Sequence, residues 1–225
     1  MNANGNQAIR ISKNGAGRTG LMKFVRAIAV QGSDHDYEVR IVALENLGEC
    51  LDELENLLRL AMHDRDELVR TTALEIAGDA SLTHLADEVV RRFTSDRSPL
   101  VRSAAAVALG DMCVTNFREL LEEKLGDPDE EVRVGIYYAL VKSGATKYLK
   151  RFLNGLKHPY YRIRCATANL LPSLVRRDNR ALAERALKEA LKRETTVAAR
   201  ESIEGALAEI EPTRRRSANN LARRM

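Results

Sequence analysis

The chain has no tryptophan and only ten aromatic residues, six Tyr and four Phe, among 225. Hydrophobic residues still make up 44%, so the core must be built from Leu, Ala, Val and Ile. That composition favours helices over sheets. Cysteine is equally scarce: Cys50, Cys113 and Cys165 are odd in number and far apart. They fit neither a disulfide framework nor a clustered zinc site and read as small, reduced, buried residues. No apolar run approaches the roughly 18 to 20 residues needed to cross a bilayer. The first residues, MNANGNQAIRISKNGAG, lack the apolar segment of a secretion signal. A soluble, cytoplasmic protein is the expectation.

Acidic residues are missing from particular stretches. Residues 1–33 hold five Lys/Arg and no Asp/Glu, and residues 34–131 hold ten against 24. Residues 132–177 then carry ten Lys/Arg and no acid, and residues 178–225 carry eleven against eight. The net charge of +4 therefore hides an acidic first half and a basic later segment.

What is present is a repeat. Asp96-Arg97-Ser98-Pro99-Leu100-Val101-Arg102 places an acid six positions before the arginine of a Val-Arg pair, and an alanine-rich run follows. The same pattern stands at Asp34/Val39-Arg40, Asp64/Val69-Arg70 and Asp127/Val132-Arg133, and in weaker form at His158/Ile163-Arg164 and Glu194/Ala199-Arg200. The six arginines are 30, 32, 31, 31 and 36 residues apart. A period of that size is the signature of stacked helical repeats.

Within each period apolar residues fall at helical spacing in two runs. First helices are marked by Leu21, Phe24, Val25, Ile28; Leu51, Leu54, Leu57, Leu58, Ala61; Leu85, Val89, Phe93; Phe117, Leu120, Leu121, Leu125; Leu149, Phe152, Leu153, Leu156; and Leu182, Ala186, Leu187, Leu191. Second helices carry stripes such as Val69, Ala73, Ala77; Val101, Ala105, Leu109; Val132, Ile136, Leu140; Ile163, Thr167, Leu171; and Ala199, Ile203, Leu207. Pro172 to Asn179 is an extra stretch between the fifth and sixth repeats, where a local bend is expected. Residues 1–18 read as a flexible leader, 19–211 as the repeat array and 212–225, with Arg214-Arg215-Arg216 and Arg223-Arg224, as a basic tail that covers the last repeat or serves as an anion-binding arm. Gly15 to Gly20 matches GxGxxG, but a helical array supplies no βαβ unit around it, so a linker ahead of a helix starting at Thr19 is the reading.

The segments DRDELVRTTALEIAG, DRSPLVRSAAAVALG and DPDEEVRVGIYYALV resemble HEAT-like repeats, in particular the short bacterial variety of phycobilisome lyase subunits and many unrelated binding proteins. The resemblance spans residues 19–210 and implies an all-α, right-handed α-solenoid of about six stacked antiparallel helix pairs. It also implies a ladder of hydrogen bonds along the stack, carried by Asp34, Asp64, Asp96 and Asp127 with Arg40, Arg70, Arg102 and Arg133. His158 and Glu194 depart from that pattern in the fifth and sixth repeats.

Positive signals for catalysis are lacking. There is no HExxH, GxSxG or P-loop string, and His35, His63, His84 and His158 form none of the His-Glu pairs that resemble the iron sites of HEAT-like deoxyhypusine hydroxylases. No metal, no cofactor and no enzymatic activity are expected. Carboxylate pairs such as Glu122-Glu123 and Glu130-Glu131 fall where solvated helix faces are expected.

Function should lie where the repeat departs from itself. Tyr137, Tyr138, Tyr148, Tyr160 and Tyr161 fall within 25 residues, inside the segment without acid. With Val132, Ile136 and Leu140 facing the core, Tyr138 and Tyr137 should turn away from it, whereas Tyr148 should pack. Second helices line the concave face in the solenoids this chain resembles. The expected binding surface on repeats four and five is therefore Arg133, Tyr137, Tyr138, Lys142, Tyr160, Tyr161, Arg162 and Arg164, tyrosines beside basic side chains as in interface hot spots.

A protein-protein interaction scaffold or adaptor holding an acidic protein or peptide is the first expectation. Nucleic acid is the alternative, since tyrosine can stack on bases and Lys/Arg can meet phosphates. HEAT-like DNA glycosylases use aromatic and acidic residues around the damaged base, and this chain has no Trp and no acid in its basic segment. A bilin lyase-like or chaperone-like subunit is a third class, implied by the family resemblance alone. The opposite charges of the two halves also make self-association an expectation.

Overall fold

The computed structural model describes residues 51–113 and 115–211, together with Tyr37 and Ile41 in helical conformation. The leader, most of the first repeat with Asp34, Arg40 and Cys50, and the basic tail lie outside the described residues. The described residues are helical, with no strand among them. The helices are α1 (Leu51–Ala61), α2 (Glu67–Asp79), α3 (Ala86–Ser95), α4 (Pro99–Asp111), α5 (Arg118–Glu123), α6 (Glu130–Lys142), α7 (Leu149–Asn154), α8 (Tyr161–Leu170), α9 (Arg180–Arg193) and α10 (Val197–Ile210). They form five consecutive pairs, an all-α helical-repeat architecture. The chain forms two compact units, Met1–Ala73 and Leu74–Met225.

In the first unit Leu57, Leu58, Ala61, Met62, Val69 and Ala73 are buried, as helical spacing predicts. The turn between α1 and α2 is held by side chains: Asp64 Oδ1 accepts the Asp66 N–H at 2.8 Å and Asp66 Oδ1 accepts the Leu68 N–H at 2.8 Å. Such Asx bonds satisfy amides that an α-helix leaves free at its start.

In the second unit α3 packs on α4, α5 on α6 and α9 on α10, while α7 packs back on α6 and the turn Gly155–Lys157 after it packs on α8; second helices stack on one another, α4 on α6, α6 on α8 and α8 on α10. Small residues permit the closest of these approaches. A side chain at Gly110 would meet Ala139 Cα of α6 at 2.8 Å, and one at Gly78 would meet Ala108 Cα of α4 at 2.9 Å. Helices start where local chemistry sets them: Pro99 stands at the start of α4, and Asp129 caps α6 by accepting the Glu131 N–H at 2.8 Å.

The first helices of repeats four and five are shorter than their stripes imply. α5 is flanked by 3₁₀ turns at Thr115–Phe117 and Lys124–Gly126, and α7 by turns at Thr146–Tyr148 and Gly155–Lys157. Gly155 is required at the second of these, because any Cβ there would overlap the Thr167 hydroxyl of α8. The extra stretch after α8 becomes a 3₁₀ turn, Leu171–Leu174, and an Asn-locked loop. Asn179 Oδ1 accepts the Arg176 N–H at 2.7 Å while its Nδ2 donates to Leu174 O at 3.0 Å. In the last pair Ala183, Leu187 and Ala190 form the buried stripe of α9, and Leu182, Ala186, Leu191 and Leu207 are only half-buried. No helix among the described residues is long and apolar enough to cross a membrane.

Candidate binding surface

The repeated arginine is a turn clamp. In its own hairpin it donates through Nη1 to the backbone carbonyl six residues earlier: Arg70 to Asp64 O at 2.8 Å, Arg102 to Asp96 O at 3.0 Å, Arg164 to His158 O at 2.7 Å. Arg133 does the same to Asp127 O, and Arg200 reaches Glu194 O through Nη2. Its other edge can reach the next repeat. Arg102 Nε and Nη2 grip Asp127 at 2.9 and 3.0 Å, and Arg164 Nε and Nη2 grip Glu194 at 2.6 and 2.8 Å. These two-pronged pairs are the strong form of an ion pair.

The ladder therefore continues through the sixth repeat, where the Asp-based pattern had not led us to expect it. Glutamate fills the same place: while Arg164 grips both of its oxygens, Oε1 also accepts the Thr196 N–H at 2.8 Å. At the junction of repeats four and five the ladder is broken. His158 offers no carboxylate, and Arg133 bonds instead to Glu130 of its own helix.

These pairings move the carboxyls. Burial acts to raise Asp127, but the hydrogen bonds from Arg102 and the Asp129 amide outweigh it and leave the group below its ordinary value. The Arg164 hydrogen bond, with help from Thr196, overcomes burial and holds Glu194 down to about 2. A carboxyl depressed on folding stabilises the protein above its unfolded pKa of about 4.3, and that contribution is lost as pH falls through the folded value. The stability advantage of the wild type over Glu194→Gln should thus hold at pH 7 and shrink between about pH 5 and pH 2. Paired thermal melts across that range check it; a difference that stays constant refutes it.

Folding also redistributes the charge that the sequence segregates. Lys142 Nζ lies 3.4 Å from Asp111, and Lys147 Nζ lies 3.1 Å from Glu122. Glu131 is raised by burial despite the nearby Arg162. With Arg133 on Glu130, four cations of the acid-free stretch thus face carboxylates from earlier in the chain. Among the described residues Lys150, Lys157 and Arg177 have no carboxylate within ion-pair reach and are exposed.

The eight residues expected to form one surface separate into four groups. Tyr138 is a core residue, only 1% exposed, which corrects the expectation that it turns outward. Its hydroxyl donates to Asp111 and accepts from Ser173 Oγ at 3.0 Å, and Lys142 sits over its ring at 5.6 Å. Burial first, and Asp111 second, push its phenol well up, so it stays protonated. The physical reason is that α6 is covered by α4, α5, α7 and α8 at once. Its buried arc therefore includes Val134, Gly135, Ala139 and Val141 beyond the single stripe read from the sequence. Arg133 and Arg164, the second group, are clamps and half-buried.

Tyr137 is half-buried with its ring stacked on Tyr148 at 6.2 Å, and Tyr148, itself buried, donates to Glu122 Oε1 at 2.9 Å. That leaves Tyr160, Tyr161 and Arg162 together in the open. The two tyrosines are 51% and 40% exposed and meet edge to face with centroids 5.7 Å apart. Arg162 is exposed, and its guanidinium is held charged first by the Tyr160 hydroxyl and then by Glu131. The three sit at the turn into α8, on the hairpin edge that also carries the ladder, instead of along the helix. Separating them from Tyr138 requires knowing which helices cover α6, which the sequence does not show.

A fold of paired helices stacked through their second members, tied by an arginine ladder at the turns, defines a helical-repeat solenoid. The family model of HEAT repeats matches residues 24–110 and 86–171. The chain belongs to the HEAT-repeat family. No curated protein matches the sequence. Among solved structures it is similar to human deoxyhypusine hydroxylase in complex with glycerol, with 18% identity, 89% of each chain covered and a TM-score of 0.50. It is also similar to the complex of CpcE and CpcF of phycocyanin lyase from Nostoc sp., with 17% identity, 89% of this chain and 91% of that chain covered and a TM-score of 0.51. At these identities the likeness concerns the fold. Among the described residues no group of three or more His, Cys, Asp or Glu is placed to hold a metal ion.

Proposed function

We propose that the protein is a non-catalytic interaction scaffold that binds an acidic protein segment at the hairpin edge of repeat five. The observation that carries this reading is the exposed Tyr160–Tyr161 pair standing beside Arg162, with Lys157 three residues before Tyr160. In the second compact unit the other described aromatic side chains, Phe93, Phe117, Tyr137, Tyr138, Tyr148 and Phe152, are buried or half-buried. Two rigid amphipathic rings next to cations form the composition of an interface anchor.

A protein segment is favoured over nucleic acid by what surrounds the pair. Glu130 and Glu131 stand at the same edge, and Lys142 and Lys147 are already matched with carboxylates. A phosphate backbone needs a continuous track of available cations. A short acidic peptide needs only a few.

Changing Tyr160, Tyr161 and Arg162 together to alanine should weaken binding of an acidic peptide about tenfold or more. Helicity should be unchanged, because all three side chains are exposed. Fluorescence anisotropy with circular dichroism reads both. Equal affinity for variant and wild type would remove the surface from consideration, and tighter, steeply salt-dependent binding of a random oligonucleotide would transfer the function to nucleic acid.

A further inference from the structure

The residue that opens each hairpin turn performs two tasks. Within the turn its side chain accepts the amide two residues ahead: Asp64 from Asp66 at 2.8 Å, Asp96 from Ser98 at 3.0 Å, Asp127 from Asp129 at 2.9 Å, Glu194 from Thr196 at 2.8 Å. Between hairpins its carboxylate receives the two-pronged bond of the preceding arginine, as Asp127 and Glu194 do. His158 keeps the first task, its Nδ1 accepting the Tyr160 N–H at 3.1 Å. It has no carboxylate for the second.

Arg133 stands in register with Arg102 and Arg164, and its carbonyl bond to Asp127 is the same as theirs. Its other edge is different. Nη2 is bonded to Glu130, and Nε has no hydrogen bond among the described residues. The junction is also more open: the Arg133 side chain is 26% exposed, against 15% for Arg102 and 14% for Arg164. The Glu130 carboxylate that partly occupies it is 37% exposed and three residues away on the same helix, a surface pair of small net worth.

We propose that the carboxylate missing from this junction is supplied from outside, by an Asp or Glu side chain of the acidic segment, gripped by Arg133 as Arg102 grips Asp127. The inference rests on the acidic-segment function above and deepens it. Arg133 selects a carboxylate because its planar edge matches two oxygens of one group. Tyr160, Tyr161 and Arg162, which follow His158 directly, hold the flanking residues of the same segment. The broken rung is thus the recognition site, and intact rungs on either side keep its two walls in place.

The test uses the full chain, a fluorescein-labelled oligoglutamate peptide and four variants, read by anisotropy at low salt and by thermal melting. His158→Asp fills the rung internally, so peptide affinity should fall about tenfold while the melting temperature rises. His158→Asn preserves the turn bond without a carboxylate and should keep wild-type affinity. Glu130→Gln removes the internal competitor and should bind several-fold tighter.

Undiminished binding by His158→Asp overturns the proposal, and so does weakened binding without a rise in melting temperature, which marks simple charge repulsion. If His158→Asp binds normally while the Tyr160, Tyr161 and Arg162 triple variant does not, the surface stands and only the rung is wrong. If the wild type itself does not bind the peptide, the surface function fails, and this inference with it.

Discussion

Replacing Arg164 with leucine should destabilise the protein by about 3 to 5 kcal/mol, the range for removing one partner of a buried ion pair. The substitution keeps most of the apolar stem but strands Glu194, whose side chain is only 2% exposed. Glu194 would lose both guanidinium bonds and keep the amides of Thr195 and Thr196 and the Thr196 hydroxyl. The carbonyls of His158 and Pro159 would lose their donor as well. Chemical denaturation should show a lower midpoint with an unchanged slope. The double replacement of Arg164 and Glu194 by leucine should recover part of the loss, because two apolar groups leave no charge unpaired. An Arg164→Leu variant as stable as wild type would mean that the ladder is decoration.

Gly110→Ala should also destabilise, by about 1 to 3 kcal/mol, although alanine is the better helix former by about 1 kcal/mol. The added methyl would stand 2.8 Å from Ala139 Cα and 3.1 Å from Tyr138 Cε1. Neither can give way easily. The first is backbone, and the second belongs to a ring pinned by Asp111 and Ser173. Gly205→Ala on α10 is the matched control: a Cβ there meets nothing within 4 Å, so the propensity gain stands alone and stability should rise. Opposite signs for the two substitutions, measured by urea unfolding, would show that α4 and α6 are in contact at Gly110. Two positive effects would show that they are not.

These two cases mark what the sequence makes legible. The repeat period, the helix pairs and the turn residue six positions before each arginine could be read directly, because a stack reuses one local solution and local solutions leave local signals. Val101, Ala105, Leu109 and their counterparts in the other second helices are buried largely as helical spacing implies. The candidate site was legible only in part. Tyr138 was misplaced because a single stripe describes a helix covered on one side, and α6 is packed by four neighbouring helices. The acid-free run promised a continuous basic surface, yet Asp111, Glu122 and Glu131 come from earlier repeats to meet it, and Glu130 meets it from one turn earlier in α6. Such partners stand 20 or more residues away or across a helix turn, beyond what linear charge patterning can show.

His158 is the reverse case. As a departure from the repeat it was visible in the sequence, but its meaning required the turn geometry. Only the Tyr160 amide bond shows that histidine replaces half of what aspartate does there. The other half is the two-pronged grip on the preceding arginine, and its absence leaves Arg133 the most exposed of the clamping arginines at a described junction of the second unit.

The central claim is that an acidic segment binds at the edge where repeats four and five meet. Amide chemical-shift mapping with an oligoglutamate peptide tests it most directly. The account predicts saturable shifts concentrated at Lys157 to Arg162 and at Glu130 to Arg133, with α3, α4 and α10 unaffected. Shifts centred elsewhere, or none at low salt, would contradict it.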